Sequence, residues 1–165
     1  MNKTHGTFNY LDLLDLAHSY AKTESGCCKV AVGSVIIEGK QNLRILAFGA
    51  NKTLPVNCKS KGCLRIQKYG NDDKTHRNPD DCRAIHSEIA AISAAARQGI
   101  SLEGATIVVT RYPCEACARA IVEAGIQKVV YGREQTMSQS SYDIFKAAKV
   151  TVIHCSDWIA QDAIN

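Results

Sequence analysis

Near the N-terminus, apolar positions recur at close to helical spacing. Phe8, Leu11, Leu14 and Ala21, with Leu13 and Ala17 beside them, are separated by Asp12, Asp15 and Lys22. This pattern predicts an amphipathic helix that ends near Glu24-Ser25-Gly26. It gives way to an unbroken, largely β-branched run, Val30-Ala31-Val32-Gly33-Ser34-Val35-Ile36-Ile37, which predicts a buried strand. Gly39-Lys40-Gln41-Asn42 reads as a turn. Leu43 to Phe48 is then the expected hairpin partner.

From Asn51 to Asp81 the periodicity is lost. Pro55, Cys58, Cys63, Gly70, His76 and Pro79 stand among charges with few aliphatics. A structureless stretch of this length inside one domain is unusual and tends to be functional or stapled. Regular patterning then resumes. Ser87 to Gln98 is Ala-rich and helical, stopped by Gly99, and Thr106 to Thr110 is a strand. Cys114 to Ala124 is a second Ala-rich helix stopped by Gly125, and Lys128 to Tyr131 is a strand. Strand, short helix and strand joined tightly predict a parallel βαβ unit with a right-handed crossover. Tyr142 to Lys149 reads as a further helix and Val150 to His154 as a last strand. The expected fold class is α/β, a mixed five-stranded sheet with helices on both faces.

The chain has 165 residues, which suits one domain over 1–165 with an irregular insertion at about 51–82. Its 45% apolar and 22% charged composition is that of an ordinary globular protein. No apolar run approaches the ~18–20 residues of a membrane helix. The N-terminal Met-Asn-Lys-Thr-His-Gly has no apolar core of a secretory signal. A cytoplasmic location is therefore expected, where the eight cysteines stay reduced. Metal ligation, catalysis or simple packing then explains them better than disulfides. A net charge of +4 with 6% aromatic residues suits an anionic small molecule and gives little support to a nucleic-acid groove.

The strongest chemical signal pairs His86-Ser87-Glu88 with Pro113-Cys114-Glu115-Ala116-Cys117. Each half opens one of the two Ala-rich helices. Cys114 and Cys117, three apart on a first helical turn, can reach one ion, and His86 can supply a third ligand. Three protein ligands leave a tetrahedral zinc ion one position for water, which is the catalytic arrangement. Glu88, two residues past His86, can face that water. The helix N-termini favour the thiolates. A redox dithiol would leave His86 and Glu88 without roles.

His-x-Glu followed by Pro-Cys-x-x-Cys resembles the zinc-dependent nucleobase deaminase superfamily. Further stretches are similar to its deoxycytidylate (dCMP) deaminase branch. They are Cys28 to Ile36, Gly49-Ala50-Asn51, Val56-Asn57-Cys58 with Gly62-Cys63, Cys82 to Ile92, Gly104 to Thr110, and Ala124 to Tyr131. The resemblance implies a three-layer α/β/α cytidine deaminase-like fold. It implies catalytic zinc on His86, Cys114 and Cys117, with Glu88 as the proton shuttle in hydrolysis of dCMP to dUMP and ammonia. It places Asn51 and the backbone of Val32 and Gly33 at the substrate, with Tyr112 a candidate against the base or sugar. The family's Gly-Tyr-Asn-Gly is here Gly49-Ala50-Asn51-Lys52, and Tyr131 is followed by Gly132-Arg133. Lys52 and Arg133 are consequently candidates for a phosphate, against the alternative of solvated surface charge.

The resemblance also implies a second, structural zinc and reaches Cys27, Cys58 and His76 as its ligands; Cys82 is the expected fourth, with Cys63 the alternate. Such an ion would replace the core that the irregular segment cannot build. Free thiols are the alternative. A homo-oligomer is expected, with a hexamer the leading form, and dCTP and dTTP are candidate effectors. Two alternatives stand beside dCMP deamination. One is a deaminase of another nucleoside, nucleobase or polynucleotide base. The other is a non-catalytic zinc-bound interaction module.

Overall fold

The computed structural model describes residues 9–39, 43–53, 58–70, 82–133 and 139–159. Helix α1 (Tyr10–Glu24) starts where Asn9 caps it. The Asn9 side chain accepts from the Asp12 N–H at 2.9 Å, and Asp12 Oδ2 accepts from the Asn9 N–H at 3.1 Å. This capping box satisfies donors that the first turn leaves open. The stripe formed by Leu13, Leu14, Ala17 and Ala21 is buried, as its spacing predicts.

Strand β1 (Gly33–Glu38) pairs antiparallel with β2 (Arg44–Ala50). The sequence predicts strand from Val30, but pairing begins at Gly33. The reason is a side chain: Asn51 donates from Nδ2 to the Val30 carbonyl at 2.8 Å and accepts the Val32 N–H at 2.9 Å. The backbone before Gly33 is thus bonded to Asn51, whose side-chain amide holds Val30 and the Val32 N–H and whose backbone N–H bonds the Val32 carbonyl at 3.0 Å.

The excursion after Asn51 is less irregular than expected. Two-residue strands β3 (Lys52–Thr53) and β4 (Ala84–Ile85) close it as a small antiparallel ladder. Within it stand two short helices, α2 (Cys58–Lys61) and α3 (Leu64–Tyr69). Their few turns carry too little apolar periodicity to be visible in the sequence.

The rest alternates: α4 (Ser87–Arg97), β5 (Thr106–Arg111), α5 (Glu115–Glu123), β6 (Lys128–Arg133), α6 (Gln139–Ala147) and β7 (Thr151–His154). The main sheet has five strands in the order β2-β1-β5-β6-β7. β1 is antiparallel to β2 and β5, whereas β5, β6 and β7 run parallel. On one face Val35, Ile37, Val108 and Val130 pack with Leu13, Leu14 and Ala17 of α1 and with Trp158. On the other, Ile36, Ile107, Val109 and Val129 pack with Ala91 and Ala95 of α4, Ala118 and Ile121 of α5, and Phe145 of α6. The alternation along each strand produces three layers, the architecture that the resemblance implies.

Two glycines set how closely the outer layers approach. A Cβ on Gly33 would strike the carbonyl of Ala17, and one on Gly49 would strike the carbonyl of Ser87 and the backbone of Ala91. Gly33 therefore admits α1, and Gly49 admits the first turn of α4. Among the described residues, no helix is long and apolar enough to cross a membrane.

Candidate active site

The N-caps of α4 and α5 are His86 and Cys114, both with extended backbone (φ −69°, ψ 153° and φ −74°, ψ 170°). Neither makes the side-chain capping bond that a Ser or Asp makes at this position. Their side chains turn toward each other instead. His86 Nδ1 lies 3.3 Å from Cys114 Sγ and 3.4 Å from Cys117 Sγ. Among the described residues, this is the one group of three His, Cys, Asp or Glu residues whose ligand atoms all lie within 4.8 Å of one another. A tetrahedral zinc ion, at about 2.0 Å from nitrogen and about 2.3 Å from sulfur, separates such ligand atoms by roughly 3.5 Å. The three atoms fit that ion, with Nδ1 the nitrogen on the metal side.

The thiols are prepared for metal. Cys114 is pulled down to about 4, first by a hydrogen bond from the Cys117 thiol and then by His86. Cys117 is pushed up by the same contact, by burial and by the neighbouring Glu88 carboxylate. The two shifts run in opposite directions, so the pair favours the thiolate on Cys114. His86 is raised, chiefly by its hydrogen bond to Cys114, while the nearby Arg65 guanidinium opposes the shift. His86 is exposed, Cys114 half-buried and Cys117 buried, so the cluster opens to solvent on the imidazole side.

Glu88, the second residue of α4, is 4% exposed. Burial raises its carboxyl above the ordinary value; its own backbone N–H, His86 and Ser87 pull the other way. Ser87 donates to Glu88 Oε2 at 3.0 Å, and Ser34 of β1 lies 2.7 Å from Ser87 through its hydroxyl. The sequence pointed to the Ser34 backbone beside Val32 and Gly33 but to no role for either serine side chain. The only available signals were a lone Ser inside the apolar run of β1 and another between His86 and Glu88.

The remaining expected residues are placed as follows. Asn51 is buried and largely engaged with its own chain: beyond Val30 and Val32, its Oδ1 accepts from the Ser25 hydroxyl at 2.7 Å. One Nδ2 hydrogen remains. The Gly33 N–H donates to Thr110 Oγ1 at 3.1 Å, and the space its missing side chain leaves faces α1. Tyr112 is in the core, edge-on to Tyr131 at 4.9 Å and to Phe145 at 6.4 Å, and its hydroxyl is buried with no hydrogen-bond partner. Lys52 pairs with Glu24 at 3.2 Å. Arg133 lies over the Trp158 ring at 5.8 Å, beside Arg111 across the parallel β5–β6 register.

The other thiols do not form a second compact group among the described residues. Cys58 is buried at the start of α2, and burial, then Cys63, Cys27 and Cys28, push its thiol up. Cys63, Cys27 and Cys28 are thus each within electrostatic reach of Cys58. Cys82 is half-buried before β4, and His76 lies outside the described residues.

Residues 9–133 match the sequence profile of the cytidine and deoxycytidylate deaminase zinc-binding region. ComE operon protein 2 of Bacillus subtilis is 34% identical over 131 residues, covering 78% of this chain and 61% of the relative. The deoxycytidylate deaminase of Saccharomyces cerevisiae is 34% identical over 134 residues, 80% of this chain and 40% of that one. The deoxycytidylate deaminase of Enterobacteria phage T2 is 34% identical over 161 residues, 79% of this chain and 84% of that one. The chain thus spans under two thirds of the bacterial and yeast relatives and most of the phage one. A crystal structure of dCMP deaminase from the cyanophage S-TIM5, in complex with dCMP and dUMP, shares the fold. Its TM-score is 0.66 at 23% identity, over 86% of this chain and 92% of that one. With a profile spanning both helix-start motifs, and a phage relative matched over most of its length, the chain belongs to the cytidine and deoxycytidylate deaminase family.

Proposed function

We propose that this protein hydrolyses dCMP to dUMP and ammonia. The observation that carries the reading is a three-ligand metal cluster, built on two helix N-termini, with a buried carboxylate one helical step away. Relatives named deoxycytidylate deaminase, and a neighbour of the same fold described with dCMP and dUMP, support the substrate.

Held by His86 Nδ1, Cys114 and Cys117, zinc supplies a Lewis acid that lowers the pKa of water. Glu88 accepts the proton of the attacking water, delivers it to N3 of the cytosine ring and then carries a proton to the departing ammonia. Burial suits Glu88 to this role, because a carboxyl raised toward neutrality both takes and returns a proton. Asn51 has one Nδ2 hydrogen left for the substrate and bonds the Val32 backbone next to Gly33, whereas the buried Tyr112 hydroxyl reaches a substrate only if the core around it opens. Lys52 and Arg133 reach the substrate phosphate only by leaving Glu24 and Trp158.

The reading extends to a second, structural zinc on Cys27, Cys58, His76 and Cys82, with Cys63 the alternate fourth ligand. The effect of Cys63 and Cys27 on the Cys58 thiol supports an arrangement of these thiols around Cys58. It extends also to a cytoplasmic homo-oligomer, with dCTP and dTTP as candidate effectors.

The test is ammonia release from dCMP, CMP, deoxycytidine, cytosine and guanine, with zinc counted per chain. dCMP is expected to turn over fastest. An inert dCMP beside an active nucleoside or base overturns the substrate. Glu88→Gln is expected to keep its catalytic zinc and lose about 10²–10⁴-fold in kcat; zinc-loaded Glu88→Gln with full activity overturns the mechanism.

A further inference from the structure

Ser34 and Ser87 are both wholly inaccessible, and Glu88 is 4% exposed. They form one line: Ser34 Oγ to Ser87 Oγ at 2.7 Å, then Ser87 Oγ to Glu88 Oε2 at 3.0 Å. A serine hydroxyl has a single proton. Ser87 donates its proton to the carboxylate, so the proton between the two hydroxyls belongs to Ser34. The line therefore has a direction, from the sheet through the helix start to Glu88.

The close approach is built into the fold. Ser34 stands on β1 opposite Gly49 of β2. Any side chain at Gly49 would push the Ser87 carbonyl away. Ser87 does not cap α4, because His86 holds the N-cap position. Two hydroxyls in a dry interior are unfavourable unless hydrogen-bonded, and here the bonds they make end on the carboxylate.

We propose that Ser34 and Ser87 form a positioning relay that fixes the Glu88 carboxylate for proton transfer. This rests on the reading of Glu88 as the proton-transfer group. With Oε2 held by Ser87, the carboxylate cannot rotate freely and stays aimed for proton transfer. The serine protons stay on the serines. Ser34 acts through Ser87, by polarising its hydroxyl and fixing the direction in which it donates.

The test compares Ser87→Ala, Ser34→Ala, the double variant and Glu88→Gln, each with zinc content, thermal stability, kcat and KM for dCMP. Losing a hydrogen bond to a charged group predicts a roughly 10- to 100-fold fall in kcat for Ser87→Ala, with KM and zinc unchanged. Ser34→Ala is expected to fall less, about 3- to 10-fold. In the Ser87→Ala background, Ser34→Ala should have no further effect on kcat. A crystal structure of Ser87→Ala should show the Glu88 carboxylate in more than one rotamer. Zinc-loaded Ser87→Ala with wild-type kcat overturns the proposal, as does a Ser34→Ala effect that adds fully to that of Ser87→Ala. If Glu88→Gln keeps its activity, the role of Glu88 fails, a result distinct from failure of the relay.

Discussion

His86, Cys114 and Cys117 sit on the first turns of helices whose opposite faces are locked into the core through Ala91, Ala95, Ala118 and Ile121. Cys58 and Cys63 sit on and beside four- and six-residue helices, and α3 buries no residue. The first trio already has the spacing of metal ligands. The second set shares an electrostatic neighbourhood but has no such compact geometry among the described residues. Ligands carried by packed elements are placed by the hydrophobic core before any ion arrives. Ligands carried by short, poorly packed turns depend on the ion for their final arrangement, and the ion's binding energy then becomes folding energy.

Replacing one ligand on each side breaks the comparison most directly. Cys117→Ala is expected to abolish catalytic zinc and turnover, measured by metal analysis and ammonia release, while circular dichroism stays close to wild type. Cys58→Ala is expected to remove the proposed structural zinc, raise proteolysis between residues 51 and 82 and leave turnover per catalytic zinc nearly unchanged. A Cys58→Ala protein with unchanged zinc content and protease resistance would erase the contrast.

A backbone change tests the preformed side next. Gly49→Ala drives a methyl into the Ser87 carbonyl and Ala91, so α4 must shift. Overpacking of this kind is expected to lower stability by about 1–3 kcal/mol in denaturant unfolding, with weaker zinc retention. Asn51→Ala removes the bonds to Val30, Val32 and Ser25 and is expected to lower stability by about 1–3 kcal/mol. A rise in KM with stability unchanged would instead assign Asn51 to substrate alone.

The smallest effect concerns pH. Burial raises the Glu88 carboxyl above its ordinary 4.5, so the folded, metal-free protein favours the protonated form more than the unfolded chain does. That contribution to stability is fully present below the unfolded value and is lost as pH rises through the folded one. Metal-free Glu88→Gln, neutral at every pH, is therefore expected to melt higher than wild type at neutral pH. Its advantage should shrink as pH falls toward 4.5. An advantage independent of pH would show that charge burial is not its source.

Much of the candidate site was legible because each half of it, His86 to Glu88 and Cys114 to Cys117, is a short motif at a helix start, although the halves are 28 residues apart. His86 precedes an Ala-rich helical run and Cys114 another, and N-cap and first-turn positions face one way whatever the rest of the fold does. The strand pattern was legible for a similar reason, since side-chain alternation is local. Asn51 shows where locality fails. Its type and place at a strand end suggested an amide for a ligand, yet most of its hydrogen bonds go to residues 19 to 26 positions earlier. The same bonds moved the start of β1 from Val30 to Gly33. Arg133 and Lys52 read as available cations, but the fold brings Trp158 and Glu24 against them.

The sequence by itself determined the helix starts, the strand alternation and three candidate zinc ligands with a nearby carboxylate, because propensity, periodicity and ligand chemistry act over a few residues. Only the tertiary structure decided that α4 sits against Gly49, that Ser34 reaches Ser87, and that Ser87 holds Glu88. Those contacts join residues 53 positions apart in the chain, and close packing of a helix on a sheet is what brings them within hydrogen-bonding distance.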